Sequence, residues 1–226
     1  CLEEFNKQFE DTVQRGVFRR LEEAELTQWM GPVNYISFVV AFKDDPHSTT
    51  PLRICMNSAM KQPEVKLSLN DLLLKGPPAL ADLLSVTLGF REHVFALAKD
   101  LSKFYQCVEA DAVAQHVRRV VWRGGQDKEE PAVYITTTVN FGDRPAGCIA
   151  ITAVKKTAEM FEAVHPKAAW CIKNSTYVDD ATAGADTKQE LQSISLGMEA
   201  IAEAGGFKFK ETRMSGDLVE DKSQLP

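Results

Sequence analysis

The spacing of apolar residues switches repeatedly between the helical repeat and strand alternation along this chain, and the strand-like stretches come in close pairs. The first thirty residues, CLEEFNKQFEDTVQRGVFRRLEEAEL onward, carry apolar side chains at helical spacing and predict one or two helices ending near Gly31 and Pro32. VNYISFVVAF, KDDPHSTT and PLRICMN then read as strand, charged loop and strand, a hairpin with a long tip. SLNDLLLKGPPALADLLSVTLGFREH is a loop and helix, interrupted at Gly76, Pro77 and Pro78, and VFALAKDLSKFYQCV is an apolar strand reaching Asp100. ADAVAQHVRRVVWR gives a short helix and a strand, GGQDKEEP a turn, and AVYITTTVNF the partner strand. From Pro145 the pattern is helical until His165 and Pro166, after which STYVDDATAGA forms another hairpin. Thr187 and Glu190 stand at capping-box spacing, and Leu191, Ile194, Met198 and Ile201 mark one face of a helix that ends at Gly205 and Gly206. Hairpins separated by single helices predict an α+β chain with an antiparallel sheet.

A length of 226 residues, 44% apolar and 26% charged, is enough for one sizeable core or two small lobes. Apolar runs such as YISFVVAF are too short to span a bilayer, and CLEEFNKQFED has no basic stretch followed by an apolar one. The expectation is a soluble, unexported, intracellular protein with no membrane partner. A start at Cys1 and a polar, Pro-terminated end, SGDLVEDKSQLP, are expected of a segment of something longer. The cysteines at 1, 55, 107, 148 and 171 form no C-x-x-C pair, so neither a disulfide framework nor a zinc knuckle is predicted, and reduced, mostly buried thiols are expected. A net charge of −6 argues against a general nucleic-acid coat protein. Local basic clusters at Arg118, Arg119 and Arg123 and at Lys155 and Lys156 read equally well as solvated faces.

Asp179 and Asp180 stand side by side at the tip of the STYVDDATAGA hairpin. An Asp pair in a turn is ordinary, since Asp favours turns. A third acid, Asp100, ends the apolar strand of AKDLSKFYQCV, and if the two strands are neighbours in one sheet all three carboxylates reach the same edge. Like charges so close push at least one pKa upward unless cations intervene. Two Mg²⁺ ions about 3.5–4 Å apart satisfy that requirement in nucleotidyl transfer, one activating the attacking hydroxyl and one neutralising the leaving pyrophosphate.

With those residues in place, the chain resembles the fingers and palm of a reverse transcriptase, most closely of the BEL/Pao class of LTR retrotransposons. The stretches that carry the resemblance occur in order: LRICMNSA, LSLNDLLLKGPP, GFREHVFALAKDLSKFYQ, VRRVVWR, VNFGDRPAG, STYVDDATAG and EAGGFKFK, from about residue 30 to about 216. The resemblance implies a right-hand polymerase fold, an antiparallel palm sheet backed by helices, with the thumb absent. Fingers would span residues 1–75 and 108–145 and palm 76–107 and 146–217, with 218–226 a tail leading to the missing thumb. It implies RNA-directed DNA synthesis from a primer on an RNA or DNA template, deoxynucleoside triphosphates as substrates, and two Mg²⁺ ions, for which Mn²⁺ is a substitute. Asp100, Asp179 and Asp180 match the catalytic carboxylates, and the Leu101 carbonyl matches a backbone metal ligand. Tyr105 matches the aromatic gate under the sugar of the incoming nucleotide, the neighbouring Phe104 being the better candidate for a core ring. Phe141 and Gly142 match the start of the nucleotide-pocket helix, where glycine permits close approach. Arg53 matches the arginine that grips the triphosphate, its guanidinium fork suited to phosphate. Lys43 is a weaker phosphate candidate, and Lys208 or Lys210 matches the lysine that protonates pyrophosphate. The location implied is cytoplasmic or within virus-like particles, as part of a polyprotein.

Two departures stand out: Asn57 where the family has Asp, and Asp143-Arg144-Pro145 where it has small residues and Ser before the proline. Neither removes a metal ligand. A binding protein that keeps the fold without catalysis, a domesticated or decayed element, is the second reading. An RNA-dependent RNA polymerase is the third, and an aromatic at position 105 argues against it.

Overall fold

The computed structural model describes residues 2–42, 52–124 and 130–215. In chain order the elements are α1 (Leu2–Gln14), β1 (Phe18–Arg20), α2 (Glu23–Gln28), β2 (Phe38–Phe42), β3 (Leu52–Met56), α3 (Leu69–Leu72), α4 (Leu83–Gly89) and β4 (Phe95–Leu101). They continue with a 3-10 turn (Phe104–Cys107), α5 (Ala112–His116), β5 (Val120–Trp122), β6 (Ala132–Thr136), α6 (Ala146–Met160), α7 (Pro166–Asn174), β7 (Thr176–Tyr177), β8 (Asp180–Ala185), α8 (Lys188–Ala204) and β9 (Phe209–Met214). Every strand pairing is antiparallel, as expected of an α+β chain built from hairpins. The chain divides into two compact units: Cys1–Pro77 with Tyr105–Ile149, and Pro78–Phe104 with Ala150–Pro226.

In the first unit, a sheet of order β1-β6-β5 and the hairpin β2-β3 share an aromatic core with α1. Phe5 and Phe9, one helical turn apart on α1, are buried against Phe18, Phe38, Trp122 and Tyr134. Each such ring contributes about 1.5–3 kcal/mol by leaving water. The strand β1 runs through a stretch expected to be helical. Gly16, at φ +74°, ends α1, and Phe18 is buried where its strand pairs with Thr136 on β6. Three residues are too few to show strand alternation, so the pairing rather than local propensity makes this strand.

In the second unit, a four-stranded sheet of order β7-β8-β4-β9 is backed by α7 and α8. Leu191, Ile194, Met198 and Ile201 on α8 are all buried, as their spacing predicted. The helix begins at Thr187, whose hydroxyl accepts from the Glu190 N–H at 3.2 Å, a cap worth about 1 kcal/mol. The sequence reading passed directly from α6 to the last hairpin and missed α7. The helix expected to run to His165-Pro166 ends earlier, at Met160, and Pro166 occupies the first turn of a new helix, where its missing N–H is harmless. The cysteines differ from expectation in burial: Cys171 is buried, whereas Cys55, Cys107 and Cys148 are half-buried, all four as free thiols. No helix among the described residues is long and apolar enough to cross a membrane.

The central strand β4 alternates strictly near its end, with Leu97, Lys99 and Leu101 buried and Ala98 and Asp100 half-exposed. Lys99 is 2% exposed. Its ammonium is paired with Glu199 on α8, reaches the Ser195 carbonyl at 3.4 Å and lies 5.4 Å from the centroid of the Phe209 ring. Lys99 is buried while the Glu199 side chain is 43% exposed, and a buried charge is strongly felt when its partner is removed. Replacing Glu199 by Ala is therefore expected to destabilise the chain by about 1–3 kcal/mol in urea unfolding, whereas Lys99→Met, which removes the buried charge and keeps the stem, should be near neutral. A larger loss for Lys99→Met than for Glu199→Ala would contradict this account.

Candidate active site

The antiparallel register of β4 and β8 runs from Phe95 opposite Ala185 to Asp100 opposite Asp180. Directly opposed residues share a sheet face and have Cα atoms about 4.5–5.5 Å apart. Asp100 and Asp180 are thus cross-strand neighbours, despite their distance in sequence. Tyr177 pairs with Asp180, so Val178 and Asp179 alone form the turn between β7 and β8. Val178 sits at φ +58°, a conformation that a β-branched side chain strongly disfavours and that short hairpin turns demand. The turn is tied to β4 by the Leu101 N–H, which donates to the Asp179 carbonyl at 2.8 Å. The backbone of Leu101 and the acidic turn are therefore joined next to Asp100.

On the other side of β4, the register with β9 shifts between Lys99 and Leu101. Lys99 faces Thr212 and Leu101 faces Phe209, so Lys210 and Glu211 together oppose the single residue Asp100. Such a bulge re-aims side chains. It buries Phe209 and sends Lys210 to Asp100: the ammonium lies 2.9 Å from Oδ1 and 3.0 Å from Oδ2. The hydrogen bond goes to Oδ2, leaving the buried Oδ1 without a hydrogen-bond partner. Ala98, Asp100, Asp180, Lys210, Glu211 and Arg213 line an open depression of about 690 Å³ over these groups.

The Asp180 carboxyl is held above the usual Asp range, first by partial desolvation and then by the charges of Asp179 and Asp100, with Lys210 opposing them. The oxygen-only donor set suits a hard dication such as Mg²⁺, and Oδ1 of Asp100 accepts no hydrogen bond although the Lys210 ammonium lies 2.9 Å away. Among the described residues, however, no group of three or more His, Cys, Asp or Glu is gathered so as to hold a metal ion. Asp100 is instead paired with Lys210.

The remaining candidates divide by unit. In the first unit, Tyr105 lies in the 3-10 turn, half-buried, with its ring edge-on to Phe141 at 5.5 Å. Phe141 is 62% exposed. Gly142 has φ +105°, and a Cβ there would come within 3.3 Å of the Met56 carbonyl, so both conformation and space require glycine. Arg53 is an exposed residue of β3, opposite Ala41 on β2. Lys43 lies outside the described residues. In the second unit, Phe104 is buried against Phe207, and the Lys208 carbonyl accepts from the Ser102 N–H at 2.7 Å.

Arg118 and Arg119 are not a solvated face: each is 4% exposed. Arg118 pairs with the buried Asp143 and donates to the Ala114 carbonyl, while Arg119 donates to Nδ1 of His116, whose ring stacks on Trp29 at 3.8 Å. Strand alternation cannot reveal an ion pair between positions 118 and 143. Asp143, a departure from the expected motif, is the counter-charge of Arg118 and accepts further hydrogen bonds from Ser58 and Asn140. Asn70, also unnoticed in the sequence, donates to the Gly142 carbonyl at 2.9 Å and accepts from the Arg144 N–H at 2.8 Å.

This arrangement of hairpins and helices is a reverse-transcriptase-like fold. Two solved structures of a foamy viral protease-reverse transcriptase are similar to it. One, in complex with double-stranded DNA, gives a TM-score of 0.64 at 14% identity over 88% of this chain. The other, in complex with an RNA/DNA hybrid, gives 0.61 at 13% identity over 89%. The chain spans 29% and 22% of those proteins, less than a third of either. No protein-family model and no curated protein sequence matches it.

Relieving the crowding of charge around Asp180 should be visible in stability. Its raised folded-state pKa means that the native chain binds more protons than the unfolded chain between the ordinary Asp pKa and the raised one, so native stability falls as pH climbs through that interval. Asp180→Asn is expected to melt at a higher temperature than wild type at pH 7. The gap should close as pH drops below about 3.9. A lower melting temperature at pH 7 would make Asp180 a structural residue.

Proposed function

We propose that this chain is the RNA-directed DNA polymerase domain of a retrotransposon polyprotein of the BEL/Pao class, its first unit acting as fingers and its second as palm. The observation that carries the reading is the cross-strand register of Asp100 and Asp180, with Asp179 in the adjoining two-residue turn. Acids from two distant stretches of sequence, Asp100 and the Asp179-Asp180 pair, act on one another here, raising the pKa of Asp180, and such repulsion serves chemistry more readily than folding. The reverse-transcriptase-like fold supports it.

In this reading Asp100 and Asp179, with Asp180 and the Leu101 carbonyl, hold two Mg²⁺ ions, which when bound activate the primer 3′-hydroxyl and neutralise charge on the leaving pyrophosphate. The chain's own side chains bind and orient. Arg53 grips the triphosphate of an incoming deoxynucleotide, and Phe141 and Gly142 border its base. Tyr105 fills the space that a ribose 2′-hydroxyl would occupy. Lys210 protonates the departing pyrophosphate after leaving Asp100. Template and primer, as RNA or DNA, are the macromolecular partners.

A non-catalytic nucleic-acid-binding remnant is the alternative, and the Lys210–Asp100 pair favours it to the extent that an ammonium occupies the carboxylate. Primer extension separates the two. With oligo(dT) on poly(rA), excess primer–template and Mg²⁺, the wild-type chain should extend, and Asp100→Asn and Asp179→Asn should abolish extension while remaining folded. A wild-type chain that binds the duplex without extending it selects the alternative.

The identity of the sugar tests Tyr105 separately. Discrimination by exclusion is lost when the excluding group shrinks. Tyr105→Val should raise ribonucleotide over deoxynucleotide incorporation at least about tenfold, or about 1.4 kcal/mol in the ratio of specificity constants, measured by single-nucleotide extension. An unchanged ratio in an active variant makes Tyr105 a packing residue.

A further inference from the structure

Asn70 holds the Phe141–Gly142 turn from both sides. Its Nδ2 donates to the Gly142 carbonyl at 2.9 Å and its Oδ1 accepts from the Arg144 N–H at 2.8 Å, so one side chain bridges the peptide groups on either side of Asp143. Asn70 is itself fixed, because its own N–H donates to the Ser58 carbonyl at 2.9 Å and it lies in the helical turn capped by Ser68, whose hydroxyl accepts from the Asp71 N–H. Beneath the turn, Asp143 is buried, paired with Arg118 and hydrogen-bonded by Ser58 and Asn140; the Asp143 N–H closes the turn on the Asn140 carbonyl at 3.2 Å. On the remaining side the Met56 carbonyl lies 3.3 Å from where a Cβ on Gly142 would be. The backbone of residues 140–144 is thus held on several sides at once. The turn exposes Arg144 and Phe141, and the Phe141 ring meets the Tyr105 ring with centroids 5.5 Å apart at 60°.

A ring that excludes a hydroxyl must not yield when pushed. Tyr105 is half-buried in a short 3-10 turn, and Phe141 supplies a backing whose own position is set by the backbone clamp. We infer that Asn70, together with the Arg118–Asp143 pair, is a positioning device for sugar selection: it fixes Phe141 as the backstop of Tyr105 and so sets the stringency with which ribonucleotides are refused. This rests on the polymerase reading and goes beyond it, because none of these three residues contacts the nucleotide in that reading. Asp143, the departure from the family pattern, acquires a role in selection through the turn it anchors.

The test is the ratio of ribonucleotide to deoxynucleotide specificity constants in single-nucleotide extension by the 226-residue chain with excess primer–template, for wild type, Tyr105→Val, Asn70→Ala and Phe141→Leu. Asn70→Ala removes both bridging hydrogen bonds without touching either ring. It should raise the ratio about three- to tenfold, within the loss that a small misplacement of a positioned group brings, while the thermal unfolding midpoint falls only slightly. Phe141→Leu should move the ratio in the same direction. If Tyr105→Val relaxes selection and a folded, active Asn70→Ala keeps the wild-type ratio, the inference is overturned and the polymerase reading stands. Should Asn70→Ala fail to fold, Phe141→Leu decides, and an unchanged ratio there overturns the inference. A wild-type chain without extension activity, or a Tyr105→Val chain without relaxed selection, removes the premise and the inference together.

Discussion

The alternation of β4 is the constraint on which the second unit depends. Successive residues of a strand must point to opposite faces, so a strand that buries Leu97, Lys99 and Leu101 under α8 necessarily presents Ala98 and Asp100 on the other side. The same rule applied to β8 brings Asp180 beside Asp100 once the register is set by the buried alanines Ala181, Ala183 and Ala185. The acids need no attraction for one another to meet. Packing of the opposite face drives them together against their mutual repulsion, and the raised pKa of Asp180 is the electrostatic trace of that compulsion.

In the first unit the corresponding constraint is satisfaction of buried charge. Arg118 and Arg119 sit at the junction of α5 and β5, where a strand leaving a helix must turn inward, and both guanidinium groups end up away from water. Each needs acceptors, and they come from Asp143, the Ala114 carbonyl and His116. Taking up Asp143 fixes the position of the loop between β6 and α6. An ion pair deep in the unit therefore governs the conformation of an exposed turn, and Gly142 is the residue that lets the backbone comply.

Much of this was legible in the sequence because it follows from periodicity. The hairpin β2-β3, the strand β4, the face of α8 and its Thr187 cap all carry patterns longer than a helical turn or several alternations, and they determine the α+β architecture. The juxtaposition of Asp100 with Asp180 was legible conditionally, through the supposition that two apolar strands were neighbours. What escaped was of two kinds. Short elements such as β1 and α7 exist because a partner receives them, and three residues of strand or nine of helix after a proline show little period of their own. Polar residues whose partners lie far away in sequence, such as Arg118 with Asp143 and Lys99 with Glu199, look like surface residues until the fold brings the partners together.

The bulge opposite Asp100 decides which face each of the first residues of β9 takes. Two residues of β9 stand against one of β4, and by absorbing the extra residue the bulge keeps Phe209 in the core while Lys210 faces the carboxylate. Pairing the same residues without the bulge would place Glu211 opposite Asp100 and Lys210 opposite Leu101, turning Phe209 to the other face, whereas deleting Glu211 would restore simple alternation with Lys210 still opposite Asp100. The shape of the strand, and not its residue count alone, therefore keeps Phe209 inside and Lys210 on the carboxylate.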